Sequence, residues 1–128
     1  MRVSRHLCLM LMLALGASLG TPVRAQDSIP PYEPQLLRLA EIMGALTWLR
    51  DLCGAQDGAS WRARMDQMLE AEHPAPERRE RLAGAFNRGL MDYQRMHRRC
   101  TDHSRASVQR FLDEGQRLTR EMSGRFGS

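Results

Sequence analysis

Two cysteines and two histidines are the residues whose types and spacing could hold a metal ion. His97, Cys100 and His103 follow one another at three-residue steps, and Cys53 could supply a fourth ligand. Two cysteines with two histidines form a common tetrahedral zinc site. Against this, the paired Cys-x-x-Cys spacing is absent, and the helix predicted to contain Cys100 should end before His103. A small metal-handling protein, for zinc or copper, is therefore the alternative hypothesis.

The N-terminus indicates that both cysteines leave the reducing cytosol. A short basic segment, Met1–His6, precedes the apolar run Leu7–Leu19, and small residues then stand where a signal peptidase reads. These features predict a signal peptide over residues 1–25, cleavage near Ala25-Gln26 and a periplasmic location. The apolar run is shorter than the roughly 20 residues of a membrane-spanning helix. We therefore expect no transmembrane segment after cleavage.

Removal of the signal peptide leaves two cysteines, Cys53 and Cys100. An even number of cysteines in an exported chain is typical of disulfide bonding. The bond would close a loop of nearly fifty residues. In the chain-entropy model such a loop is worth about 4 kcal/mol of stability. The sequence favours this disulfide over the zinc site, and both stay open at this point.

The charge of the processed chain argues against nucleic-acid binding. Every basic residue is an arginine, and three of the nineteen fall within residues 1–25. Sixteen arginines then face fifteen acidic residues, a net charge of +1. Proteins that bind nucleic acids need a strongly basic surface. The expected partner is therefore a protein or an envelope component.

No motif with enzymatic chemistry is present. The sequence has no Gly-x-Ser-x-Gly elbow, phosphate-binding loop or His-Glu-x-x-His. His73, His97 and His103 could act as general bases only beside a carboxylate, which the sequence does not place. The four methionines of residues 65–96 could bind Cu(I), but their spacing is more typical of a helical core. We expect no enzyme and no cofactor, and a hydrolase with a non-local site is the third hypothesis.

Apolar residues at three- and four-residue steps predict four helices. They cover, in order, residues 34–52, 61–72, 76–100 and 103–125. Ser60 is the expected N-cap of the second helix, and Thr101 or Asp102 that of the fourth. No stretch shows the alternation of a strand. The predicted fold is all-α, a small four-helix domain with one disulfide, preceded by a signal peptide.

The domain organisation follows from these elements. Residues 1–25 are the signal peptide, residues 26–33 an extended proline-rich lead-in, and residues 34–126 the helical domain. The first helix is apolar over more than half its circumference, which marks the central helix. The disulfide would join the C-terminal ends of the first and third helices, so these helices should lie side by side. Gly89 should allow their close approach, with Trp48 or another side chain of the first helix over it.

Three residues are candidate contacts with a partner. Tyr32 lies in the lead-in, and Asn87 and Arg88 lie in the third helix. Further arginines, among them Arg78 and Arg79, are expected to give that helix a basic outer surface. Such a surface suits an anionic partner, although a solvated helix face has the same composition.

The segment from Pro31 to Glu41 resembles the opening of a family of small exported proteobacterial proteins, known only as a domain of unknown function. Shorter segments are similar to its later blocks: Trp48–Gly54, Trp61-Arg62, Phe86–Gly89 and Cys100. The resemblance covers most of the processed chain and departs from the family pattern at Thr47 and Leu90. It implies an exported helical domain and no particular activity.

The leading hypothesis is therefore an exported periplasmic helical protein that works by binding another macromolecule. The metal-handling protein with His97, Cys100, His103 and Cys53 is its main alternative.

Overall fold

The computed structural model describes residues 28–127, which form four α-helices. They are α1 (Glu33–Leu52), α2 (Gly58–Glu72), α3 (Pro76–Met96) and α4 (Asp102–Phe126). No strand is present within this range. The all-α, four-helix prediction is confirmed. The predicted signal peptide lies outside the described residues, as do Gln26 and Asp27 of the lead-in.

Helix α1 is the centre of the domain, as its broad apolar surface predicts. It contacts all three other helices, while α2 and α4 do not approach each other closely. One buried cluster joins α1 to α2 and α3, and includes Leu36, Met65 and Leu82. A second cluster joins α1 to α4, and includes Leu46 and Phe111. Because α2 and α4 lie apart, a groove remains between them along one side of α1.

Two glycines bring α1 and α3 into backbone contact. A Cβ atom at Gly89 would lie 2.0 Å from the carbonyl oxygen of Glu41, and one at Gly44 would lie 1.9 Å from that of Phe86. Both distances are far below van der Waals contact. The close approach expected at Gly89 is present, but the α1 backbone lies over it rather than Trp48 or another side chain.

Helix α2 begins three residues earlier than predicted, because it is attached to α1. The backbone N–H of Gly58 donates to the carboxylate of Asp51 at 2.8 Å. Asp57 takes the N-cap position, with its own carboxylate bound to Arg50. Ser60 therefore lies within the first turn, and its assignment as the N-cap is wrong.

The disulfide between Cys53 and Cys100 is present, with a Cα–Cα distance of 5.0 Å. Gly54, at a φ of +88°, ends the turn after α1. Helix α3 stops at Met96 rather than at Cys100, because His97 is extended and its carbonyl accepts a hydrogen bond from the indole of Trp48 at 2.9 Å. The predicted neighbourhood of α1 and α3 is confirmed.

A buried ion triad joins the start of α1 to α2 and α3. The guanidinium of Arg78 binds Glu33 at 2.7 Å and Glu72 at 2.6 Å. Arg78 is 7% exposed, so its assignment to the basic outer surface of the third helix is wrong. Glu33 opens α1, and Tyr32 packs 5.4 Å from the ring of Phe126. The end of the predicted extended lead-in is therefore folded onto the domain.

No helix within residues 28–127 combines the length and apolar character that crossing a membrane requires.

Candidate binding groove

An open groove runs along α1 between α2 and α4. Its volume is about 730 Å³, which falls within the range of about 300–1,000 Å³ typical of ligand sites. Most of its exposed surface is apolar. The lining residues are Leu39, Ile42, Met43, Leu46, Arg50, Asp57, Trp61, Arg64, Met68, Phe111, Leu112, Gly115, Gln116, Thr119 and Arg120.

The floor of the groove comes from α1 and its walls from the two flanking helices. Leu39, Ile42 and Leu46 recur at three- and four-residue steps, so they share one side of α1. Gly44, which packs against α3, points to another side of the same helix. The groove and α3 therefore lie on different sides of α1, and no α3 residue lines the groove.

The α4 wall of the groove has no side chain at Gly115. A Cβ atom there would meet Leu39 and Ile42 at 3.7 and 3.8 Å, which are ordinary contact distances. Gly115 therefore tolerates a small side chain, and a large one would project over the groove floor. On the opposite wall, Trp61 presents its ring, with the guanidinium of Arg64 5.0 Å from the ring centre.

An ion pair lines the groove near the C-terminal end of α1. Arg50 binds Asp57 with two guanidinium nitrogens, at 2.9 and 2.6 Å. The hydrogen bonds from Arg50 lower the pKa of the Asp57 carboxyl, and the same bonds raise the pKa of Arg50. This pair is neutral overall. Arg64 and Arg120 line the groove from opposite walls and form no ion pair with residues 28–127.

A second ion pair fixes α4 to α1. Arg38 donates two hydrogen bonds to Glu114, at 2.7 and 3.0 Å. The hydrogen bond from Arg38 lowers the pKa of Glu114 more than burial raises it. The guanidinium of Arg38 also lies over the ring of Phe111, at 5.6 Å. These contacts hold the α4 wall at a fixed position relative to the floor.

The histidines and cysteines proposed as metal ligands are brought near one another, but not as a ligand set. Both sulfurs are used by the Cys53–Cys100 disulfide. The rings of His97 and His103 stack with their centres 5.5 Å apart. Within residues 28–127, no group of three or more His, Cys, Asp or Glu side chains is arranged to hold a metal ion.

The hydrogen bond between His97 and Ser104 is part of a helix cap. The Nδ1 atom of His97 lies 3.0 Å from the hydroxyl of Ser104. The Thr101 hydroxyl accepts the N–H of Ser104, and the Ser104 hydroxyl accepts the N–H of Thr101, which completes a capping box. Thr101 is thus confirmed as the cap of α4. Ser104 is 0% exposed, so a substrate cannot reach its hydroxyl in this conformation.

The three predicted partner contacts do not lie together in the groove. Asn87 and Arg88 are exposed on α3, on another side of α1. Tyr32 is half-buried against Phe126 and the α1 cluster. None of the three lines the groove.

Helical spacing identifies apolar faces but does not show whether a neighbouring helix covers them, so the groove could not be predicted from the sequence. Trp61, Met68 and Leu112 line the groove and are also partly buried against the two core clusters. Arg64 and Arg120 gave no signal of their own, because arginines are spread through every helix.

The fold and the groove together define a small all-helical, disulfide-bonded domain with an apolar cleft. The chain belongs to a family of proteins of unknown function, DUF2385, whose family model matches residues 31–126. A comparison with curated proteins and one with solved structures returned no match. The family match confirms the expected domain of unknown function.

Proposed function

We propose that this chain is an exported, periplasmic, non-enzymatic protein that binds a macromolecule, either a protein or an envelope component, through the groove between α2 and α4. The open apolar groove is the observation that supports this role most directly. An apolar surface that a fold leaves uncovered costs solvation free energy. Its persistence beside a well-packed core favours a binding role for it.

The rigidity of the groove also supports binding. Its floor is a central helix held by two glycine contacts, and its α4 wall is fixed by the Arg38–Glu114 pair. The disulfide fixes the end of α1 near the start of α4. A preformed site loses little conformational entropy when its partner binds.

Site-specific photo-crosslinking in living cells tests which surface meets the partner. A photoreactive phenylalanine analogue replaces Gln116 at the groove, or Gln94, which is exposed on α3. We expect a discrete adduct from position 116 and none from position 94. A further Gly115→Leu change, which fills the groove, should abolish that adduct. An adduct from position 94 alone, or none from either position, would contradict the proposal.

The disulfide supports export, because such bonds persist in oxidising compartments and are rare in the cytosol. Intact-mass measurement of protein from the periplasmic fraction tests this part separately. We expect a chain that begins at Gln26 and is two hydrogens lighter than its reduced form. A chain that retains residues 1–25, or that carries free thiols, would count against the periplasmic assignment.

One observation favours keeping the metal-handling protein, for zinc or copper, as the alternative function. The stacked rings of His97 and His103 lie beside the segment that carries Cys100. This alternative requires reduction of the disulfide, since Cys53 and Cys100 are bonded to each other. Stoichiometric zinc or copper in the purified protein, together with reduced thiols, would favour it over macromolecular binding.

A further inference from the structure

The two sulfurs of the disulfide lie in different surroundings, which give each of them a separate role in thiol exchange. We propose that the Cys53–Cys100 bond is a modification site. A low-molecular-weight thiol attacks Cys53 there, and Cys100 leaves as a thiolate. The product is a mixed disulfide on Cys53. This inference concerns the C-terminal end of α1 and does not depend on the macromolecular partner proposed above.

A small cavity gives access to Cys53. Its volume is about 200 Å³, and its lining residues are Arg50, Cys53, Ala55, Arg105 and Val108. Of the two bonded cysteines, only Cys53 lines it. This volume is below the range of about 300–1,000 Å³ typical of sites for drug-sized ligands, so the cavity suits a small thiol. The open approach to the disulfide therefore leads to Cys53.

The guanidinium of Arg105 lies beside the other sulfur. Its Nη1 atom donates to the sulfur of Cys100 at 3.4 Å, while its Nη2 atom binds the carboxylate of Asp102. The side chain of Asp102 is fully exposed, so water screens its charge. A guanidinium beside a sulfur stabilises the thiolate form of that sulfur. Arg105 therefore favours Cys100 as the leaving group, because a more stable thiolate leaves faster.

The helix ends beside the two cysteines add to this asymmetry. Cys53 directly follows the last residue of α1, and Cys100 directly precedes Thr101, the N-cap of α4. The helix dipole is negative at the C-terminal end of a helix and positive at the N-terminal end. A thiolate is therefore less favourable at Cys53 than at Cys100. Access and electrostatics together assign attack to Cys53 and departure to Cys100.

The exchange needs no reactant besides the thiol, which loses its proton to solvent before it attacks. A bond forms between the incoming sulfur and the Cys53 sulfur, the bond between the two cysteines breaks, and its electron pair leaves with Cys100. The incoming sulfur is thereby oxidised and Cys100 is reduced.

The segment that carries Cys100 has attachments besides the disulfide. The indole of Trp48 donates to the carbonyl of His97 at 2.9 Å, and the Nδ1 atom of His97 lies 3.0 Å from the hydroxyl of Ser104. These contacts keep the Cys100 thiolate close to the mixed disulfide. Attack of that thiolate on Cys53 then restores the original bond and releases the small thiol, so the modification is reversible.

Exchange of the purified disulfide-bonded protein with β-mercaptoethanol tests this proposal. Samples taken over time are quenched with excess N-ethylmaleimide, which alkylates every free cysteine, and the products are mapped by mass spectrometry. We expect the first product to carry mercaptoethanol on Cys53 and N-ethylmaleimide on Cys100. The attack takes place in the folded protein, so urea concentrations below the unfolding transition should leave its rate unchanged.

Variants of Arg105 separate an effect of charge from an effect of shape. Arg105→Gln should slow the exchange about fivefold, the effect of one charge at contact distance in water. Arg105→Lys keeps the charge and should retain most of the rate. Arg117→Gln is the matched control, because Arg117 is also exposed on α4 and paired with an acidic residue of its own helix. That variant should exchange at the wild-type rate.

The proposal is overturned if mercaptoethanol is found mainly on Cys100, or if no mixed disulfide forms. Equal slowing in Arg105→Gln and Arg117→Gln would overturn it too, since the charge beside Cys100 would then have no special effect. Exchange that accelerates in proportion to the unfolded fraction would show that the bond opens only after unfolding, which also contradicts it. None of these measurements involves the groove, so the proposed function stands or falls separately.

Discussion

The tightest contact in the molecule depends on two residues that have no side chain. Gly44 and Gly89 allow the backbones of α1 and α3 to touch, and any Cβ atom at either position would overlap a carbonyl oxygen. The floor of the groove is the other side of the same α1 helix. The position of that floor therefore depends on the glycine contact behind it.

We predict that Gly44→Ala and Gly89→Ala each destabilise the fold by about 3 kcal/mol or more, because the helices must separate to admit the methyl group. Gly84→Ala is the control, since its Cβ would meet only the end of Arg88 at 3.6 Å. That variant should gain up to about 1 kcal/mol from helix propensity. Urea unfolding measures all three. Equal effects at positions 84 and 89 would show that the close contact is absent.

The structural role of Arg78 could not be predicted from the sequence. It stands beside Arg79 in a run of charged residues, and only the fold shows that one is buried while the other is exposed. Burial lowers the pKa of Arg78, but the hydrogen bonds that its guanidinium donates to Glu72 and Glu33 outweigh that effect and raise it. Arg78 therefore stays charged inside the domain.

We predict that Arg78→Ala costs about 3–5 kcal/mol, because it leaves Glu33 buried without a counter-charge. Arg79→Ala should change stability by less than about 0.5 kcal/mol. Thermal and urea unfolding of the two variants measure the difference. A small effect at position 78 would mean that Glu33 is solvated and that the start of α1 is not held by the triad.

At the scale of elements, the helices could be predicted from sequence and their ends could not. Leu36, Leu39, Met43 and Leu46 define α1 by spacing alone. The start of α2 depends on the Asp51 carboxylate, and the end of α3 depends on the Trp48 indole, which lies 49 positions away in sequence. Such contacts form only after the helices pack. The groove could not be predicted for a related reason. Spacing shows which face of a helix is apolar, but not whether a neighbouring helix covers that face.

The disulfide closes the loop that contains α2 and α3. We predict that replacing Cys53 and Cys100 together with alanine lowers the free energy of unfolding by about 2–4 kcal/mol. The variant should keep its helical circular dichroism at low temperature, because the glycine contact and the core do not depend on the bond. Complete loss of helicity would show that the bond is required to form the fold rather than to stabilise it.

The ion pair between α1 and α4 makes stability depend on pH at the acidic side. The pKa of Glu114 in the fold is below its ordinary value of 4.5, so its stabilisation is present at neutral pH. That stabilisation is lost as the pH falls below 4.5 and through the lowered value. We predict that Glu114→Gln lowers stability by about 0.5–1 kcal/mol at neutral pH, since the pair is partly exposed.

The wild-type protein and Glu114→Gln should converge in stability as the pH is lowered, in urea titrations at a series of pH values. Asp113 is an exposed neighbour on the same helix. The stability of Asp113→Asn should change with pH in parallel with that of the wild type. If the gap between wild type and Glu114→Gln stayed constant with pH, the ion pair with Arg38 would not be responsible for it.

At the scale of the whole molecule, three helices surround α1, and a groove remains between α2 and α4. Helix α3, the disulfide and the ion triad set the positions of α1 and its neighbours, and the space left between α2 and α4 becomes the groove. The predicted contacts Asn87 and Arg88 lie away from this opening. The proposed function therefore depends on which side of α1 meets the partner.

The two tryptophan side chains show directly which side of α1 binds the partner. Trp61 lines the groove, whereas Trp48 donates its indole N–H to the carbonyl of His97. The decisive measurement is a ¹H–¹⁵N NMR titration of the protein with solubilised cell-envelope components. We predict a saturable shift of the Trp61 indole and the Gly115 amide, with the Trp48 indole unmoved. Shifts at Asn87 and Arg88 with Trp61 unchanged, or no shifts at all, would contradict the groove as the binding site.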